Sequence, residues 1–326
     1  MSTTADPLRR AGAFGRLLRV LTNVVIGGVL CLWAATSILV LGWLMRRMRF
    51  VALRRAGVEA EPPGWLFGSG RSLTRLLGGL AANIREGLLA MVGMALFSAP
   101  FAVIWLLSWW AGWENSFSKG YEQAFVGPLL GLAGVAVFCV LMIWFPFAVA
   151  HQAIENRAFA LFEWRRVQSA VRHSGWGYVL LAATTVVFAL PLFAGRGLVA
   201  FASNIVPGFD TMTSDDIARL AGGIDLSLAV YIFVALMILR SWAASLYARA
   251  ALRAMSGSDA ALWETSPLVG QTGAQERPWL LTHWSRCMLL CLIWFGLAAQ
   301  IFIAQFLNHD WHLWVTHPFV MLPWAG

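Results

Sequence analysis

The segment "NHDWHLWVTHP" gathers three histidines and one aspartate into a short stretch near the C-terminus. His309, Asp310, His312 and His317 offer the imidazole and carboxylate donors that zinc or copper take. A helix continued through it would bring His309 and His312 to one side. The plainer alternative is an aromatic belt: Trp311, Trp314, Pro318 and Trp324 surround these residues, and histidine is equally at home at a membrane interface. A second set, His151, His173 and His283, stands at the ends of apolar runs. Two histidines from different helices are what a b-type haem needs for its axial ligands. Against this, His151 and Glu155 are spaced as a solvated helix-exit pair. Neither signal outweighs its plain alternative, and the expectation is a chain without cofactor or catalytic residue. Walker loops, dinucleotide fingerprints, His-Glu-x-x-His and Gly-x-Ser-x-Gly are missing from the sequence.

The elements that would position these residues are apolar. Of 326 residues 59% are hydrophobic and 12% charged, about half the charge of a soluble domain, which points to a membrane protein. Apolar runs near 20–45, 87–110, 126–150, 177–195, 225–245 and 287–307 approach or exceed the ~20 residues that cross a bilayer as a helix. Strand-like alternation is missing, and lipid offers no partner to an open sheet edge. The expected fold is all-α, a polytopic transmembrane bundle of about six spans in a single integral membrane domain. Cys31, Cys139, Cys287 and Cys291 fall inside the runs and read as small hydrophobes.

Arginine orients the chain. "LMRRMRFVALRR" carries Arg46, Arg47, Arg49, Arg54 and Arg55 directly after the first run. The connections on that side also hold Arg85, Arg157, Arg165, Arg166, Arg172, Arg249, Arg253 and Arg286, whereas the opposite side holds Lys119, Arg196 and Arg219 beside several acids. The positive-inside rule makes the first side cytoplasmic, in a bacterial inner membrane, with the C-terminus periplasmic. The arginine block is then a membrane-surface anchor against anionic lipid. Arg9, Arg10, Arg16 and Arg19 conflict with this threading, since they make both flanks of the first run basic. A full span over 20–45 is the preferred reading. A hairpin bent at the glycines of "VIGGVLC" is its rival.

Two cytoplasmic connections, "SGRSLTRLLGGLAANIREG" and "AFALFEWRRVQSAVRHSG", place Leu73, Leu76, Leu77, Leu80 and Ile84, then Phe159, Phe162, Val167 and Ala170, at helical spacing. They read as amphipathic helices lying in the interface. A tandem repeat over 68–157 and 160–250, followed by a final span at 287–307, is suggested by Pro100 and Pro191 and by Arg157 and Arg249. Within the runs, Gln300 and Gln305 suit polar contacts between helices, and Arg240 lies near enough to the cytoplasmic end to snorkel.

From "LGWLMRRMRFVALRRAGVEAEPPGWLFGSG" to "FPFAVAHQAIENRAFALFEWRRVQSAVRHSGWGYVLL", roughly residues 40–195, the chain resembles the domain of unknown function 4013 family of prokaryotic multi-pass membrane proteins. Gly42-Trp43 before Arg46 stands where that family has Gly-Tyr, and Pro62, Pro63 and Trp65 stand where it has Leu-Pro-x-Trp. The resemblance implies architecture and no chemistry. The functional expectation is a non-catalytic accessory, scaffold or assembly component of a membrane complex. Its partners would be the bilayer and another membrane protein or a second copy, without nucleic acid. The alternatives are a carrier for a lipid-like molecule, and a metal- or haem-binding membrane protein.

Overall fold

The computed structural model describes residues 13–66, 77–117, 125–268, 280–308 and 313–325. The described residues are helical and contain no strand. The long helices are α1 (Ala13–Leu30), α2 (Ala34–Arg55), α3 (Gly78–Phe117), α4 (Val126–Met142), α5 (Phe145–Glu155), α6 (Trp164–His173), α7 (Trp176–Ala200), α8 (Ser214–Met255) and α9 (Leu280–Asn308).

Four of them are long and apolar enough to cross a membrane: Gly78–Ala111, Trp176–Gly195, Ser214–Met255 and Thr282–Gln305. Helices α4 and α5 make a fifth crossing if counted as one span bent by 48°. Pro146 accounts for the bend, because it has no N–H and sits in the first turn of α5. The Tyr178 hydroxyl donates 2.6 Å to the Ile143 carbonyl at the break, so a carbonyl outside the helical ladder keeps a partner.

The count of six is therefore too high, and the first run is the one that fails. Helix α1 ends at Leu30, a turn occupies Cys31–Trp33, and α2 begins at Ala34. Asn23 and Trp43 would lie about 30 Å apart on a continuous helix. Instead the Trp65 indole donates to Asn23 at 2.9 Å and stacks on Trp43 with ring centroids 4.8 Å apart. The two helices run back along each other as a hairpin. Both lean on α8: Trp43 meets the Phe233 ring, and a Cβ on Gly28 would stand 2.7 Å from a Val230 methyl. The paired glycines thus allow close approach and do not bend the chain. With the hairpin, Arg19 and Arg46–Arg55 fall on one face.

A helix break inside an apolar layer must satisfy its own backbone. Thr36 Oγ1 donates to the Leu30 carbonyl at 2.7 Å. The C-terminal segment supplies the rest, with Ala325 N–H donating to the Cys31 carbonyl at 3.0 Å and the Trp324 indole to the Leu32 carbonyl at 3.3 Å. That segment also departs from the expected interfacial belt. Trp314, His317, Phe319 and Val320 are buried, and Trp314 packs against Phe101, Trp105 and Phe138.

Of the two connections expected as amphipathic helices, one is part of a span and the other is a separate short helix. The first runs without a break into α3 from Gly78, while Leu73 and Leu76 lie outside the described residues. The second forms α6, whose apolar residues Val167 and Ala170 are buried in the helical core, whereas Phe159 and Phe162 are exposed. Helix α8 is 42 residues long, roughly twice the ~30 Å hydrocarbon thickness at 1.5 Å per residue, and projects beyond it. Its free end starts with a capping box between Thr213 and Asp216.

Candidate functional site: a buried histidine, a charged latch and a groove

Where α5 ends, Asn156 takes a left-handed conformation (φ 54°) that turns the chain back on itself. The return brings Glu163, at the head of α6, beneath α5. His151 lies between, fully buried, with Nε2 3.0 Å from Glu163 Oε2 and Nδ1 2.6 Å from the Tyr247 hydroxyl of α8. A carboxylate only accepts, so Nε2 carries a proton. In the neutral ring Nδ1 then accepts from the tyrosine, and every polar atom of the trio is satisfied.

Two arginines complete the cluster. Arg166 reaches Glu163 at 3.0 Å and Glu155 at 3.5 Å. It also donates 2.6 Å to both the Leu262 carbonyl and Thr265 Oγ1. Arg157 pairs with Glu163 and, at 3.3 Å, with Glu155. Two cations and two anions balance, as partial burial requires. The hydrogen bond from His151, with Arg166 and Arg157 close by, pulls the Glu163 carboxyl down to about 2 against the opposing effect of burial. Trp263 covers His151 and Tyr247 edge-on. With His151 and Tyr247 sealed from solvent, the cluster functions as a latch that ties α5, α6, α8 and the 3-10 turn Ala260–Trp263 together.

The arginine block divides. Arg46 turns inward, donating 2.9 Å to Asn83 Oδ1 and also to the carbonyls of Gly64 and Gly79. Arg47 bonds Ser241 at 2.9 Å and lies over the Trp43 ring at 5.5 Å. Arg54 and Arg55 remain exposed, so only part of the block is left to meet a membrane surface. Between α2, α3 and the irregular segment Glu59–Pro63 lies a half-open groove of about 500 Å³. Arg46, Arg49 and Arg85 line it together with Glu59, Glu61 and Glu86.

Comparison with protein-family models, curated proteins and solved structures gave no match. Geometry alone therefore speaks for the site.

The other residues singled out above are scattered. Both ring nitrogens of His151 are engaged, and His173 Nδ1 donates 2.8 Å to the Ser169 carbonyl. His283 Nε2 lies 3.8 Å from Cys287 Sγ. His309, Asp310 and His312 lie outside the described residues, and the buried His317 takes the Phe319 N–H on Nδ1 at 3.3 Å. Among the described residues no three histidines, cysteines or acids are grouped as metal ligands. Gln300 donates 3.1 Å to the Val186 carbonyl of α7, and Gln305 accepts from the Trp314 indole at 2.9 Å. Tyr247, Glu163 and Asn83 were not legible as site residues. Glu163 and Tyr247 lie 12 and 96 positions from His151, and no local spacing connects them.

Proposed function

We propose that the protein is a non-catalytic accessory or assembly component of a complex in a bacterial inner membrane, its arginine-rich face towards the cytoplasm. The groove beside α2 carries the reading. Three arginines and three glutamates line a depression of about 500 Å³, and such mixed charge suits a polar protein segment bearing both signs better than a simple anion. The internal latch supports it as well, because it braces the same face against deformation. A photo-crosslinking residue in place of Glu61, in native membranes, tests the proposal. The expected product joins this chain to one defined polypeptide, or to a second copy, and disappears when Arg49 and Arg85 are both changed to Glu. Adducts to lipid alone, with a monomer in mild detergent, would count against it.

A further inference from the structure

Arg240 is 8% exposed, in the part of α8 that faces the bend between α4 and α5. A guanidinium has five N–H donors, yet its hydrogen bond here is a long one, 3.9 Å from Nη1 to the Met45 thioether. No carboxylate of the described residues forms an ion pair with it. Nor does the side chain snorkel to the surface, as its place in the sequence suggests it would. It lines a half-open cavity of about 50 Å³ whose walls, Thr185 apart, are otherwise apolar, among them Phe145, Trp294 and Phe319. Unpaired buried charge is costly, so an arginine held this way marks a site whose counter-ion comes from elsewhere.

One further feature of the cavity favours an anion. Phe145 and Pro146 are the first residues of α5, so the positive end of that 11-residue helix stands at the cavity wall. Thr185 also lines the cavity, with its hydroxyl proton given to the Leu181 carbonyl at 2.8 Å. Size then selects the anion. At ~10–15 Å³ for each water-sized group, the space holds about four such groups, enough for a carboxylate and its first carbons but not for a glycerophosphate headgroup. Apolar walls suit a hydrocarbon continuation. We infer that the cavity beside Arg240 binds the carboxylate of a long-chain fatty acid or a similar carboxylate-headed amphiphile. The inference does not depend on the assembly reading, since its test reads ligand binding and not partnership.

The test uses the full chain in detergent, stripped of lipid, and radiolabelled palmitate. Saturable binding near one per chain is expected. Hexadecanol, which has the chain without the charge, should compete at least tenfold more weakly, and acetate and phosphatidylglycerol should not displace palmitate. Arg240→Met should weaken palmitate binding at least tenfold while leaving the melting temperature of the stripped protein unchanged or higher. Equal competition by hexadecanol overturns the assignment without any variant. Displacement by phosphatidylglycerol or by acetate overturns the ligand class. A folded Arg240→Met protein with unaltered affinity, or one that melts lower than wild type, shows that the arginine serves the fold instead.

Discussion

Gly42→Ala probes the crossing of α2 on α3. A Cβ at Gly42 would lie 2.6 Å from the Asn83 carbonyl carbon and 2.8 Å from the Gly87 nitrogen, both main-chain atoms that cannot rotate away. The Asn83 carbonyl oxygen lies nearer still, and ordinary contact needs about 3.5–4.0 Å between carbons, so α2 and α3 must separate by roughly 1.5 Å. The Arg46–Asn83 bond of 2.9 Å and the Asn83–Trp65 bond of 2.9 Å then pass beyond useful range. Overpacking costs about 1–3 kcal/mol and a stranded buried amide about 1–3 more, giving roughly 2–6 kcal/mol. That is a large part of a typical folding free energy. Thermal unfolding in mild detergent, followed by near-ultraviolet circular dichroism, should show a fall of roughly 3–9 °C for a chain of this length. Gly222→Ala is the control: a Cβ there meets nothing within 4 Å, and replacing an exposed helical glycine should be neutral or slightly stabilising. If the two variants melt alike, α2 and α3 do not cross as closely as described here.

Two further outcomes concern the latch. Glu163 is held at about 2 in the folded chain against an ordinary 4.5, so its stabilisation is full above pH 4.5 and is lost as pH falls towards 2. The melting temperature of wild type should drop across that window, while Glu163→Gln should melt lower at pH 7 and respond less to acid. Tyr247→Phe deletes the hydroxyl that faces buried His151 Nδ1 and should cost about 1–3 kcal/mol in denaturant titration, because the ring nitrogen is left without a partner.

Much of the architecture follows directly from composition. Four apolar runs become unbroken helices because their length and hydropathy leave no other way to satisfy a backbone in lipid. The bend at Pro146 is visible for the same reason, as the residue cannot continue the preceding ladder. The 20–45 run misleads, since a hairpin and a span can draw on the same apolar residues. No proline marks Cys31–Trp33, and the deciding contacts come from Trp65, Phe233 and Ala325, all distant in the chain. The one local hint was electrostatic: basic residues on both flanks. The site was harder still to foresee. His151 and Glu155 have helical pair spacing, but Glu155 turns to Arg157 and Arg166 while His151 takes Glu163 and Tyr247. Similarly, the tryptophans near the C-terminus look interfacial by type, yet Trp314 is buried by a fold-back that no periodicity announces.

Side-specific labelling tests the hairpin most directly. Single cysteines replace Phe14, Glu61 and Asp215 in turn, each measured over the wild-type background with a membrane-impermeant maleimide on sealed vesicles of either orientation. Phe14 and Glu61 flank the hairpin and should react from one side, with Asp215 reacting from the other. Phe14 reacting together with Asp215 would mean that residues 20–45 cross the bilayer after all.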